Sequence, residues 1–159
     1  MAINPNVTFV AGNIYTASQA NRLPFGVCAL ASSSTNYTLT TSAVIATGMT
    51  ATFTAITGRL YRITYNEPQA NTTTVLNGTT STQIRQTNAA GTLLSTSVLQ
   101  TNVAVTVNGT MTAVYVGTFT AGSVTVVGCA LTSSTTGAPV LTRASTAQAQ
   151  IIVEDIGPS

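Results

Sequence analysis

Short segments in which apolar and hydroxyl-bearing residues alternate constrain the fold of this chain more than any other feature of its sequence. The pattern is clearest in residues 49–55, where apolar side chains alternate with threonines. Successive side chains of a strand point to opposite faces, so this segment predicts a strand with one face on a core and one hydroxylated face. Residues 103–107 and 124–126 alternate in the same way.

Turn residues separate a series of such segments from Phe25 onwards, and no repeated blade motif is present. We predict strands at residues 25–31, 37–40, 49–56, 60–65, 72–76, 80–85, 93–99, 103–107, 111–119, 124–131 and 149–153. We expect turns at Gly58, Asn77-Gly78, Ala90-Gly91, Asn108-Gly109 and Ala121-Gly122. This arrangement predicts an all-β fold, an antiparallel β-sandwich of jelly-roll-like type rather than a propeller. The predicted core comprises Val27, Leu30, Val44, Ile45, Phe53, Ile63, Leu93, Val105, Val114, Val116, Phe119, Val126 and Ile152.

Residues 12–26 interrupt the β pattern. Thr16 or Ser18 can cap a short helical turn and Pro24 blocks its continuation, so we predict one helical turn. We therefore expect two parts, an N-terminal arm at residues 1–24 and a β-sandwich domain at residues 25–159. Large apolar side chains surround the turn and make it a candidate for docking to another protein, or for packing across its own sandwich as a plug. These docking candidates are Phe9, Ile14, Tyr15, Leu23 and Phe25.

Composition indicates that much of the surface is covered when the protein works. The 159 residues are enough for one domain, and 44% are hydrophobic while only 5% are charged. An average soluble domain has roughly 25% charged residues. Because copies of so neutral a surface repel each other weakly, we expect contact with partners or with further copies of the chain.

The residues needed for catalysis are nearly absent. The chain has no histidine and no lysine, and its only acids are Glu67, Glu154 and Asp155. Adjacent residues of a strand face opposite ways, so Glu154 and Asp155 do not suit the two carboxylates of a glycosidase. Two isolated cysteines and three acids match neither a zinc nor a calcium motif. We predict no enzyme, no cofactor and no metal site.

The five arginines are scattered, which argues against nucleic-acid binding. Only residues 59–65 combine basic and aromatic side chains. Alternation places Arg59, Tyr61 and Tyr65 on one face of a strand and Arg62 on the other. We interpret these four residues as candidate oligomer or loop contacts, whose arginines pair with the few acids or with a neighbouring subunit.

Cys28 and Cys129 lie in similar surroundings, which suggests neighbouring strands with equivalent endings, a duplication or chance similarity. The start of the chain lacks the cationic residues and apolar run of a secretory signal. We therefore favour buried thiols over a disulfide. We expect no membrane span, because polar residues break every apolar run before roughly 18 residues.

Three segments resemble small β-rich virion proteins of tailed bacteriophages. Residues 11–27 are similar to the amino-terminal signature of that group, residues 57–64 to its central turn and strand, and residues 151–158 to its carboxyl ending. The resemblance implies a structural virion protein made in the bacterial host cytoplasm, with a jelly-roll-like fold. It supplies no catalytic residue.

We consider three functions, of which the first two follow from this resemblance. The first is a capsid decoration (cement) or head-fibre protein that binds the major capsid protein and forms a homotrimer. The second is a minor tail protein that contacts other tail proteins and recognises host-surface carbohydrate, for example through residues 66–77. A non-viral binding module is the third.

Overall fold

The computed structural model describes residues 23–159, and within this range the chain forms ten strands. They are β1 (Gly26–Ser33), β2 (Tyr37–Thr38), β3 (Val44–Ala55), β4 (Arg59–Asn71), β5 (Thr79–Gln86), β6 (Leu93–Gln100), β7 (Asn108–Gly117), β8 (Gly122–Thr132), β9 (Val140–Leu141) and β10 (Ala149–Pro158). No helix among the described residues is long and apolar enough to cross a membrane. Three of the docking candidates, Phe9, Ile14 and Tyr15, lie outside the described residues. The same holds for the predicted helical turn, and of residues 12–26 only 23–26 are described.

The strands form two antiparallel sheets packed as a β-sandwich, as the alternation predicts. The first sheet has the order β1-β10-β4-β7. The short strand β9 pairs with the end of β4, and the short strand β2 pairs with β9. The second sheet has the order β3-β8-β5-β6. All strand pairs are antiparallel.

The eight long strands pair from the outside of the sequence inwards. β1 pairs with β10, β3 with β8, β4 with β7 and β5 with β6. Successive pairs alternate between the two sheets, so the chain is one long antiparallel hairpin rolled up on itself. This nesting is the strand order of a jelly roll.

An aromatic cluster fills one end of the core. The ring centroids of Phe53 and Tyr61 are 4.9 Å apart, and Phe119 lies 5.6 Å from Phe53 and 6.1 Å from Tyr61. The Tyr61 hydroxyl accepts a hydrogen bond from the Ile56 amide at 2.9 Å, so its polar atom is satisfied. Deeper in the core, a Cβ atom on Gly128 would come within 2.9 Å of the Tyr65 ring, so β8 depends on a glycine there.

Two predicted strands are wrong: residues 72–76 and 103–107 are loops, and Thr72 of the first bonds to Val107 of the second. Thr72 is fully buried; its amide donates to the Val107 carbonyl at 2.9 Å, and its hydroxyl accepts from the Val107 amide at 2.9 Å. Asn108-Gly109 begins β7 rather than forming a turn. The two-residue β9 was not predicted, being too short to show alternation.

The predicted core is right in part. Phe53, Ile63 and Val126 are buried, and Phe119, Ile45 and Ile152 are partly buried. Seven other predicted core residues are exposed: Val27, Leu30, Val44, Leu93, Val105, Val114 and Val116. On β7 the smaller or more flexible Ala113 and Met111 face the core, so Val114 and Val116, at the alternate positions of the strand, point outwards.

The cysteines also differ from the prediction. Both are free thiols, but Cys28 is exposed and only Cys129 is buried. Cys28 lies at the irregularity of β1 between Val27 and Ala29, and burial raises the pKa of the Cys129 thiol. The two cysteines belong to different sheets, so they do not mark neighbouring strands.

Candidate interaction surface

An ion pair between Arg59 and Asp155 anchors the start of the described chain. The Arg59 Nε donates to Asp155 Oδ2 at 2.7 Å, and Nη2 donates to the Leu23 carbonyl at 2.7 Å. The guanidinium carbon lies 3.9 Å from the centroid of the Phe25 ring. Leu23 and Phe25, which were predicted as docking residues, thus both contact Arg59, which was predicted as an oligomer or loop contact.

A shallow pocket opens beside this anchor. It has a volume of about 270 Å³ and is lined by Phe25, Ile56, Thr57 and Arg59. Phe25 is 54% exposed and Ile56 is 48% exposed, so its rim is largely apolar.

The strand β4 corrects the interpretation of residues 59–65. The predicted alternation is confirmed, since Arg59, Tyr61 and Tyr65 share a face and Arg62 points the other way. However, the shared face is the core face, and all three side chains are buried inside the domain. They therefore serve packing and an internal ion pair, and of the four candidates only Arg62 is exposed.

Glu67 and Arg143 form a second ion pair that is completely buried. Arg143 Nε donates to Glu67 Oε2 at 3.0 Å, Nη1 donates to the Thr47 carbonyl at 2.8 Å, and the Tyr65 hydroxyl also donates to Glu67. Burial alone would lower the pKa of Arg143, but its bonds to Glu67 raise that pKa overall. Burial, and then the charge of Glu67, raise the pKa of Tyr65 well above its ordinary value.

This cluster joins the loop after β1 to the core and exposes no reactive group. The Arg143 amide donates to Asn36 Oδ1 at 2.7 Å, which fixes that loop. The sequence did not single out Arg143. The scarcity of charge could have indicated its role, because the chain has five arginines and only three acids. In the structure each of these acids pairs with an arginine.

The outer face of the first sheet, formed by β1, β10, β4 and β7, carries several exposed aliphatic side chains. Directly paired residues on neighbouring strands share a face, so the register defines three rows across it. In the order β1, β10, β4, β7, the first row is Leu30, Ile152, Thr64, Val114; the second is Val27, Glu154, Arg62, Val116; and the third is Ser32, Gln150, Asn66, Thr112. We call this surface the apolar face.

Four aliphatic side chains on the edge strands give this face its character. Val27 is 62% exposed, Leu30 58%, Val114 48% and Val116 52%. These residues were predicted to be core, and their exposure is what identifies the surface. Full burial of such a side chain contributes roughly 1.5–3 kcal/mol, and since each is already about half buried, covering the rest would contribute roughly half of that.

One ion pair lies in the second row, on the two inner strands of the apolar face. Arg62 Nε donates to Glu154 Oε2 at 2.8 Å. The hydrogen bond from Arg62 lowers the pKa of the Glu154 carboxyl, and the same bond raises the pKa of Arg62. Because the two charges cancel, the face has no net charge.

The outer face of the second sheet is chemically different. Thr50, Thr52 and Thr54 of β3 are exposed there, and Thr52 Oγ1 lies 2.9 Å from Thr125 Oγ1 on β8. Its exposed aliphatic side chains Leu93 and Val98 lie on the edge strand β6. We call this surface the hydroxyl face.

Residues 23–159 contain no group of three or more metal-ligating side chains. The two buried carboxylates are both held by arginines. The accessible groups include aliphatic side chains, threonine hydroxyls, the Arg62–Glu154 ion pair and the Cys28 thiol.

Comparison with models of protein families and with curated proteins gives no match. Among solved structures, the chain is similar to CsCBM6-3 from Clostridium stercorarium in complex with cellobiose. The sequence identity is 18% and the TM-score is 0.25, over 79% of this chain and 87% of that chain.

Proposed function

We propose that this chain is a structural protein of a tailed-phage virion that acts by adhesion, as a capsid decoration (cement) or head-fibre protein. The observation that carries the proposal is the apolar face, where four aliphatic side chains are exposed beside a neutralised ion pair. A contiguous apolar surface on a weakly charged protein favours coverage by another subunit. The work of the protein is then to hold subunits together as a homo-oligomer on the capsid lattice.

Two further observations support the virion role. Residues 11–27, 57–64 and 151–158 resemble segments of small phage virion proteins, in the same order. The jelly roll is also an architecture that viral capsid domains use. Residues 57–64 include the start of β4, and residues 151–158 form the end of β10. These two stretches pair with each other and contain the Arg59–Asp155 ion pair.

The test is the copy number of the protein in purified virions of the phage that carries its gene. A decoration protein occupies a site that icosahedral symmetry repeats, so quantitative mass spectrometry should find on the order of hundreds of copies per particle. A few copies would indicate a tail position instead. Absence from the particle would refute any virion role.

The second candidate function is a minor tail protein that recognises host-surface carbohydrate. The pocket at Phe25, Ile56, Thr57 and Arg59 favours it, because a half-exposed aromatic ring beside polar groups can stack against a sugar. The loop at residues 72–78 supports it less, since the Thr73 hydroxyl donates to the Thr136 carbonyl at 2.8 Å. A glycan array with the native protein and a Phe25→Ala variant tests this alternative: binding lost in the variant would favour it.

A further inference from the structure

We infer that the apolar face is the contact between two copies of this chain, related by a two-fold axis that runs along the strands between β10 and β4. This inference rests on the proposed function and specifies which surface joins the subunits. A face-to-face contact of this kind is isologous, because each copy contributes the same residues.

The arrangement of charge across the second row supports the two-fold axis. The row reads Val27, Glu154, Arg62, Val116 from β1 to β7. Rotation about an axis between β10 and β4 exchanges the two sides of the row. Glu154 of one copy then lies opposite Arg62 of the other, and Val27 lies opposite Val116. Each carboxylate therefore gains a second cationic neighbour.

The other two rows match themselves under the same rotation. In the first row Leu30 lies opposite Val114, so apolar side chains meet at both edges. In the third row Ser32 lies opposite Thr112, and Gln150 opposite Asn66, so polar groups meet polar groups. No row places a charge on an apolar side chain.

The alternative two-fold axis, which runs across the strands, is disfavoured by charge. It places each strand of the face on the same strand of the other copy. With the axis along the second row, Glu154 would face Glu154 and Arg62 would face Arg62. Like charges directly opposite each other are destabilising. The first row lies between the other two, and an axis along it would place Val27 opposite Ser32 and Val116 opposite Thr112, with both charges opposite uncharged amides. The axis along the strands is therefore the one that sets the two charges opposite their counter-charges and the edge valines opposite each other.

The size of the face predicts a reversible contact. Four strands about 4.8 Å apart and three rows about 6.6 Å apart span about 400 Å² per copy. A standard stable interface buries about 800 Å² per partner. We therefore expect a dimer that dissociates on dilution and is favoured where many copies are concentrated on a lattice.

The experiment exchanges charges on the full-length chain. Sedimentation velocity over a concentration series should show the native protein shifting from 16.2 kDa towards twice that mass. Arg62→Glu alone and Glu154→Arg alone should each weaken self-association at least ten-fold, since each puts like charges opposite each other. An equal mixture of the two variants should associate again, because one copy then presents two acids and the other two bases.

Controls separate this result from misfolding. Arg62 and Glu154 lie at the surface, so neither substitution should disrupt the core. Each variant should therefore unfold in one cooperative transition when circular dichroism is followed on heating. Thr54→Glu places a charge at an exposed position on the hydroxyl face and should leave association unchanged. A variant without residues 1–22 should also associate as the native chain does.

Several outcomes would overturn the inference. They are a native protein that stays monomeric or forms a trimer, single variants that associate normally, or a mixture that fails to recover. Loss of association on removing residues 1–22, with no effect of the charge variants, would assign the contact to that segment. The proposed function is tested separately: a monomer that is abundant in virions overturns only the contact, whereas a dimer absent from virions overturns only the function.

Discussion

At the scale of single residues, the three ion pairs of the described chain differ in burial: two are inside the domain and one is at its surface. Arg59–Asp155 and Glu67–Arg143 are buried pairs, whereas Arg62–Glu154 is exposed. The sequence indicates that the arginines pair with the acids, but not which pairs are internal. Burial depends on which face of β4 meets the core, and that is decided by packing across the whole sheet.

Breaking the buried pair should cost far more than breaking the exposed one. Arg143→Ala leaves the Glu67 carboxylate buried without its main partner, so we expect a loss of about 3–5 kcal/mol in the free energy of unfolding. Arg62→Ala is the matched control, and its effect should be close to zero because its side chain is 48% exposed. Urea denaturation of the two variants measures both, and equal losses would contradict the assignment.

Tyr65 should make the protein sensitive to alkaline pH. Its folded pKa is raised by burial and by Glu67, whereas an unfolded tyrosine ionises near pH 10. The stability from this group is therefore fully present below about pH 10 and is lost as the pH rises towards the folded pKa. Tyr37 and Cys129 contribute in the same direction.

A Tyr65→Phe variant tests this dependence. It removes the hydrogen bond to Glu67, which should cost about 1.5–3 kcal/mol at neutral pH. Its stability should then fall less steeply than that of the native protein between pH 9 and 11. A Tyr115→Phe variant, altered at a half-buried ring, is the control. Parallel curves for Tyr65→Phe and native protein would show that Tyr65 does not titrate as argued.

At the scale of strands, alternation predicts where a strand lies better than which of its faces is buried. The strands at residues 49–56 and 124–131 were found close to their predicted places as β3 and β8. On β7, however, Val114 and Val116 face outwards while Ala113 faces the core. Hydrophobicity favoured the valines as core residues, but Met111 and Ala113 take the inward positions of the strand. Which set of alternate residues faces the core is decided by how the strand packs in the sandwich, and the strand alone does not encode it.

Threonine is the other source of error at this scale. It favours strands through its branched side chain, yet it also bonds nearby backbone groups. In residues 72–76 the second tendency prevails: the Thr73 hydroxyl accepts from the Val75 amide at 3.3 Å and donates to the Thr136 carbonyl. Such loops cannot be told from strands by composition.

The β8 strand should not tolerate a side chain at Gly128. An added Cβ would lie 2.9 Å from the Tyr65 ring and 3.0 Å from the Met49 Cβ. Gly128→Ala should therefore destabilise the protein by about 1–3 kcal/mol through overpacking. Ser123→Ala, at an exposed position of the same strand, should change stability by less than about 0.5 kcal/mol. Thermal unfolding followed by circular dichroism compares them.

At the scale of the whole molecule, the jelly roll presents two unlike faces. The apolar face carries exposed aliphatic residues around one ion pair, and the hydroxyl face carries threonines. The sequence predicts the sandwich and the weak charge, but the separation of the two surfaces depends on strand order. The homotrimer implied by the resemblance would need a cyclic contact in place of the two-fold contact inferred above.

The N-terminal segment should be dispensable for folding and needed for docking. The core and both buried ion pairs lie within residues 23–159, so a chain lacking residues 1–22 should keep a cooperative unfolding transition. If residues 1–24 dock to the shell, this variant should no longer sediment with capsids that lack the native protein. Retained sedimentation would contradict the docking role.

A cryo-EM map of the virion tests the account most directly, because it shows which face of the protein is covered. We predict density for the jelly roll at many symmetry-related positions on the capsid, with the apolar face against another subunit and the hydroxyl face towards solvent. A particle without this density, or one in which the hydroxyl face is covered and the apolar face lies open to water, would contradict it.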